Sequence, residues 1–431
     1  MKNNTKNQTD NNILESIKQD TIQSFKNIYS NLLSLIKWII LATIVGIIVG
    51  LVATGFAHTV NLATNLRQSY PWLLYCLPIG GIIIIASYTL CGIKHARGTN
   101  LVLSSIAKSD KIPIAMTPLI FIGTAITHLC GGSAGREGAA LQIGGSIGNA
   151  LASIIKIDEY DKKVIIMCGM SAAFSAVFGT PMAAAIFSIE VISIGIMYYA
   201  ALVPCIFASL IASNFSAHMG IHAESFHINK ITKLTIPNAG KIILLALICA
   251  LVSELFCYLL HIAPRIYSIF FTNPYIRIIV ASAIIIIINL ILNTTDYQGA
   301  GVNIIEKAIN EEALPYAFII KMLLTAITIG GGFKGGEIIP SFFIGATLGC
   351  TIGHLLGISP SLCAALGMIG IFCGVTNCPI TSALISFELF GYHAMPFFLI
   401  VISISYMMSG YSGLYNEQKI IYDKTKAKYL N

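Results

Sequence analysis

Long apolar runs at 33–56, 238–262 and 278–292 constrain this chain more than any other feature. A hydrocarbon core about 30 Å thick is crossed by roughly 20 helical residues. Within it, only helices and closed barrels satisfy their own backbone groups. Barrel strands would alternate apolar and polar residues in segments of about ten, and these runs do not alternate. Charged residues make up 10% of the 431, against roughly a quarter in soluble chains, and the mean hydropathy is +0.80. The expected fold class is all-α, a polytopic membrane protein.

The ends read differently. Residues 1–31, with NNTKNQTDNN near their start, are polar and rich in asparagine. They are expected to form a disordered tail, with at most one amphipathic turn between Ile13 and Phe25. They lack the charged start, short apolar core and cleavage site of a signal peptide. The net charge is +7, and lysines collect in both tails, as in KTKAK at 424–428. By the positive-inside tendency both termini are expected in the cytoplasm, in a multi-pass protein of the cell inner (plasma) membrane. No basic face with interleaved aromatics tracks phosphates, so nucleic acid is not an expected partner. The lipid bilayer is.

Eleven cysteines lie scattered through apolar runs without metal-ligand spacing, and read as small buried hydrophobes. His128 and His393 read as structural. No metal or cofactor is expected. An intramembrane enzyme using Glu137 or a His/Glu pair is an alternative from another class, but the chain has no HExxH, no Gly-x-Ser-x-Gly and no paired aspartates, so no enzyme is expected.

Self-comparison organises the chain. GMSAAFSAVFGTPMAAAIFSIE at 169–190 aligns with GMIGIFCGVTNCPITSALISFE at 367–388, sharing Gly169/Gly367, Pro181/Pro379 and Glu190/Glu388 among others. TAIT occurs at 124–127 and again at 325–328, followed by GGSAGRE ending at Glu137 and GGFKGGE ending at Glu337. Shared glycine, proline and glutamate positions are not a hydropathy effect, so the chain is a duplication. The expected divisions are a tail at 1–31, a first membrane repeat at 32–230, a second at 231–418 and a short cytoplasmic tail at 419–431. Matched breaks, including short apolar segments at 171–179 and 369–378 before prolines, predict discontinuous helices meeting near the bilayer midplane.

A glycine-rich segment entering a helix exposes free N–H groups at the positive end of the helix dipole, which is an anion site. Three candidates stand out: Gly98-Thr99-Asn100, Gly135-Arg136-Glu137-Gly138, and Gly335-Gly336-Glu337. Helices starting near Pro181 and Pro379 offer two more. Glu137 is itself an anion at such a terminus. Ionised, it occupies the site; protonated, it leaves and admits a solute anion, coupling anion to proton. The alternative for Glu137 is capping, or a pair with Arg136. An ionisable residue in a membrane is a functional candidate by default.

These residues resemble the CLC family of anion channels and proton-coupled anion transporters. GREG at 135–138 with QIGG at 142–145, the Gly336-to-Pro340 motif and the tyrosine of GLYNEQ at 413–418 fall in the family's order. The resemblance covers about 33–418. It implies a CLC-type inverted repeat with broken helices, assembled as a homodimer with one anion pathway per subunit. By that likeness Glu137 is the external gate and proton carrier, and Tyr415 lines the inner end of the pathway; a membrane-interface tyrosine is the alternative. Where chloride-selective members carry Gly-Ser-Gly-Ile-Pro, this chain has GTNLV at 98–102. Where many chloride–proton exchangers carry a relay glutamate, it has Val191.

GGFKGGEIIP at 331–340 resembles the fluoride–proton antiporter branch, in which Glu337 matches a second functional acid. The alternative is a loop brace against Lys334. Ile339 departs from the threonine frequent there. Thr99, Asn100, the N–H groups after Gly336 (Ile338 and Ile339) and the Tyr415 hydroxyl would supply donors to a small, strongly hydrated anion. The expected function is fluoride/proton antiport for fluoride export, with a chloride/proton exchanger or chloride channel of the same fold as the alternative.

Overall fold

A computed structural model describes the backbone of residues 2–93, 97–426 and 428–430, with side chains from Ile17 onward. Sixteen α-helices lie among the described residues, eight in each half. The first eight are α1 (Lys2–Ser69), α2 (Leu77–Leu90), α3 (Thr99–Lys108), α4 (Met116–Leu129), α5 (Glu137–Ile155), α6 (Glu159–Phe178), α7 (Pro181–Glu190) and α8 (Leu202–His218). The second eight repeat them in order: α9 (Ile236–Phe270), α10 (Pro274–Leu292), α11 (Val302–Ile309), α12 (Ala317–Gly331), α13 (Ile338–Leu356), α14 (Pro360–Thr376), α15 (Pro379–Phe390) and α16 (Met395–Met408). Seven described segments are long and apolar enough to cross a membrane. The chain is a multi-pass membrane protein built as an inverted repeat with broken helices.

Which helices face lipid follows from their surfaces. Helices α9 and α10 expose residues such as Leu251 and Ile291, whereas α5 and α13 are enclosed by other helices along most of their length. Enclosure depends on small residues. A Cβ on Gly144 of α5 would lie 2.0 Å from the Gly169 carbonyl oxygen of α6. Its counterpart, Gly345 of α13, would place one 2.3 Å from the Gly367 carbonyl oxygen of α14. In a membrane, association rests on close packing rather than on escape from water, so small residues let backbones approach. Gly345→Ala is expected to destabilise the protein by about 3 kcal/mol, read as a lower melting temperature and a smaller monodisperse fraction. Alanine at Gly240, where a Cβ meets nothing within 4 Å, is expected to be silent.

The two halves also cap one another. Glu190, ending α7, accepts from Ile380 N (3.0 Å) and Thr381 N (2.8 Å) at the start of α15. Glu388, near the end of α15, accepts from Met182 N and Ala183 N (both 2.9 Å) at the start of α7. The helix starts near Pro181 and Pro379, expected as open anion sites, are thus filled by carboxylates of the opposite repeat. A carboxylate on the first-turn N–H groups satisfies donors that the helix cannot. The segments 171–179 and 369–378 are not separate short spans either. They hold the buried ends of α6 and α14, which stop at left-handed Gly179 (φ 78°) and Asn377 (φ 58°).

The N-terminal tail differs from expectation. Helix α1 continues outward through residues 17–31 with exposed side chains, instead of a disordered tail. Extending a helix already nucleated in an apolar span is far easier than starting one. The described residues immediately after Gln418 pack back on the first repeat. Lys419–Ile420 (β2) pairs in parallel with Ser193–Ile194 (β1), and Lys424 donates to Ser409 and Asn377.

Candidate functional site

The two glycine breaks meet. Gly135 N donates to Gly336 O at 2.7 Å, and Gly336 N donates to Gly135 O at 2.8 Å. This single antiparallel bridge joins the chain just before α5 to the chain just before α13. No side chain fits there: a Cβ on Gly336 would lie 2.5 Å from Gly138 N, and one on Gly335 2.4 Å from the Ala134 Cβ. Irregular backbone at this depth is tolerated because the other repeat completes it.

Glu137 and Glu337 flank the bridge. Glu137, the first residue of α5, is fully buried; its Oε2 accepts from Arg136 N at 3.1 Å, and Arg136 Nε lies 3.5 Å from its Oε1. Glu337 is the N-cap of α13, and its Oε2 is buried without a hydrogen-bond donor. A Cβ on Gly138 would lie 3.2 Å from that oxygen, so Gly138 leaves it open toward α5. Lys334, the alternative brace, points elsewhere: its Nζ sits over the Tyr88 ring, 4.6 Å from the centroid. No Lys334–Glu337 ion pair occurs among the described residues. Ile338 and Ile339 begin α13, both buried, with first-turn N–H groups that lack an intrahelical acceptor.

The first anion loop joins the same place through a residue that sequence reasoning missed. Gln142 of α5 donates from Nε2 to Thr99 Oγ1 at 3.3 Å and to Gly138 O at 3.2 Å, and Thr99 Oγ1 donates to Gly138 O at 3.3 Å. Gly98, at φ 59°, caps α3 and turns the chain into it. Asn100 is turned partly away, its Oδ1 accepting from Glu417 N at 3.1 Å. Tyr415 is buried with no partner for its hydroxyl, and Glu337, Glu137 and Cys378 are its ionisable neighbours. Buried polar atoms are nearly always paired. Here Glu337 Oε2 and the Tyr415 hydroxyl accept or donate no hydrogen bond, and Glu137 Oε1 has only the Arg136 guanidinium at 3.5 Å.

The sequence profile of the voltage gated chloride channel family matches residues 90–410. The chain belongs to the CLC family. It is 32% identical over 376 residues to a chloride/fluoride channel protein of Pseudomonas syringae pv. tomato, covering 86% of this chain and 83% of the relative. It is 23% identical to an H(+)/Cl(-) exchange transporter of Vibrio cholerae, covering 82% of each. Among solved structures it resembles a CLC-type fluoride/proton antiporter, with TM-score 0.86 and 35% identity over 90% of this chain and 98% of that one. A slow cyanobacterial Cl-/H+ antiporter matches with TM-score 0.74 at 18% identity, over 86% and 94%, a likeness of fold alone.

In this CLC protein the end bearing Tyr415 is tied by charge. Arg97 donates to Asp110 (2.9 Å) and Glu417 (3.1 Å), Lys108 to Glu417 (2.7 Å), and Ser104 to Asp110 (2.5 Å). Hydrogen bonds from Ser104 and Arg97 hold the Asp110 carboxyl below its ordinary range, and Lys108 does the same for Glu417. Both acids are ionised at neutral pH. The clamp that sets α3 against Tyr415 therefore persists until the pH falls through those lowered values. At the opposite end a cavity of about 340 Å³ reaches Glu137, lined also by Arg67, His128, Arg136, Glu224 and Gln298. The sequence held one signal of it. Arg67 is the only charged residue between Trp38 and Ile93.

Proposed function

We propose that this CLC protein is a fluoride/proton antiporter that exports fluoride. The observation that carries the reading is the Gly135–Gly336 bridge, on either side of which stand Glu137, fully buried at the start of α5, and Glu337, half-buried with its Oε2 enclosed at the start of α13. Glu137 is then the gate and proton carrier. It fills the anion position at the α5 terminus when ionised and vacates it when protonated. Gly135, Arg136 and Gly138 shape that position. Glu337 holds a second proton, and its O–H then donates to the anion. Gly98, Thr99, Asn100, Gly335, Gly336, the N–H groups of Ile338 and Ile339, and Tyr415 supply the remaining lining. A small, strongly hydrated anion needs several donors to replace its water, and GTNLV with GGFKGGE offers more than a chloride loop with one serine.

The relative at 35% identity is named as a fluoride/proton antiporter, and the one at 32% as a chloride/fluoride channel protein, which supports this substrate. A homodimer in the plasma membrane, with both termini in the cytoplasm, belongs to the same proposal. A chloride/proton exchanger is the second reading. Ile339 favours it, because an apolar residue stands buried where a further donor would serve fluoride. Efflux from liposomes loaded with either ion, with external pH recorded, separates the two. Fluoride is expected to leave at least about tenfold faster than chloride, a barrier difference of about 1.4 kcal/mol, with protons moving the other way. Equal rates would favour the chloride reading.

A further inference from the structure

We infer that the cavity outside Glu137 holds a separate anion-binding site, centred on Arg67, through which a small inorganic anion leaves or enters the pathway on its outer side. Arg67 is 7% exposed and donates one hydrogen bond, from Nη1 to the His128 carbonyl oxygen at 2.9 Å. It has no carboxylate partner among the described residues, so a nearly buried cation faces a cavity uncompensated. Burying a charge without a counter-charge is costly. A mobile anion is the counter-charge this place lacks.

The second guanidinium in the cavity is committed. Arg136 Nη1 donates to Asn61 Oδ1 at 2.5 Å, its Nη2 lies 3.6 Å from Glu224 Oε1, and its Nε lies 3.5 Å from Glu137 Oε1. Arg136 is thus shared between two acids, and Arg67 is shared with none. Glu224 lies in the segment joining the repeats and is the competing negative charge at the mouth. Burial raises its carboxyl above the ordinary range, and Arg136 pulls it back. The other charged or titratable groups facing these residues are His128, Lys321 and Glu306.

Direction follows from the fold. The cavity is lined by the far end of α1, opposite the end where Lys37 pairs with Asp161. With a cytoplasmic N-terminus, that far end is outside. The site rests on the reading that anions pass Glu137, and it holds for either halide. Chloride movement without fluoride movement would strike the fluoride reading and leave this site standing.

The test uses right-side-out and inverted membrane vesicles, in which every copy has one orientation. Initial rates are measured against fluoride and against chloride on each face. Arg67→Gln is expected to raise the half-saturating concentration on the outer face about tenfold, the loss of one charge-assisted contact. The inner-face value should not move. Arg67→Lys, which keeps the charge, should stay within about threefold of the unaltered protein. Glu224→Gln, which removes the competing charge, should lower the outer value. An unchanged outer value in Arg67→Gln overturns the site. So does an equal shift on both faces, which would mean that Arg67 only braces His128.

Discussion

Glu137→Gln is expected to abolish proton coupling while leaving passive anion flow. The glutamine fits the same buried space and can still face Arg136 N, but it cannot bind and release a proton at the start of α5. It also has no charge with which to compete for the anion position. Anion movement therefore continues without its counter-proton. Coupled proton flux should fall at least about a hundredfold, the low end of what a positioned proton-transfer group supplies. Glu137→Ala should do the same with a wider passage. The measurement is anion efflux with simultaneous pH recording under a proton gradient alone. Anion-driven proton uptake at the normal rate in the alanine variant would remove Glu137 from the role of gate.

Glu337→Gln is expected to bind fluoride and fail to turn over. Glu337 Oε2 is buried with no donor, an arrangement that costs the full desolvation of an acceptor unless a proton or a ligand completes it. A protonated Glu337 offers an O–H to the anion, and losing that proton lets the anion go. The amide of glutamine offers a permanent donor, so the bound state survives and the release step does not. Turnover should fall about a hundredfold or more, on the same scale as other proton-transfer steps, with fluoride binding by calorimetry retained. Glu337→Ala should lose both. Lys334 offers no escape from this test, since it lies on Tyr88 and not on the acid. Normal coupled transport in the glutamine variant would leave Glu337 as a loop residue.

Much of the architecture was legible because it rests on covalent order. Apolar runs, a repeat whose matched segments lie 198 to 201 residues apart and glycine breaks before two acids are written along the chain, and bilayer physics turns them into enclosed helices with broken ends. The sequence alone therefore determined an all-α duplicated membrane fold and singled out Glu137 and Glu337, while the inversion of the repeat came only from the resemblance to the CLC family. It misread the N-terminal tail, and it gave no account of the pairing of 419–420. Whether a polar segment extends a helix or pairs with β1 depends on a nucleus supplied from elsewhere.

Tertiary structure alone decided what lies across from what. Gly135 pairs with Gly336, Glu190 and Glu388 fill each other's helix starts, Gln142 reaches Thr99, and Arg67 faces a cavity without a partner. The first two join groups of different repeats, brought within hydrogen-bond reach only when the two halves close on one another, and the last two depend on how helices within the first repeat pack. A propensity or a periodicity carries no information about such pairs. The sequence determines which helix starts exist; packing of one repeat against the other decides which are capped and which stay open.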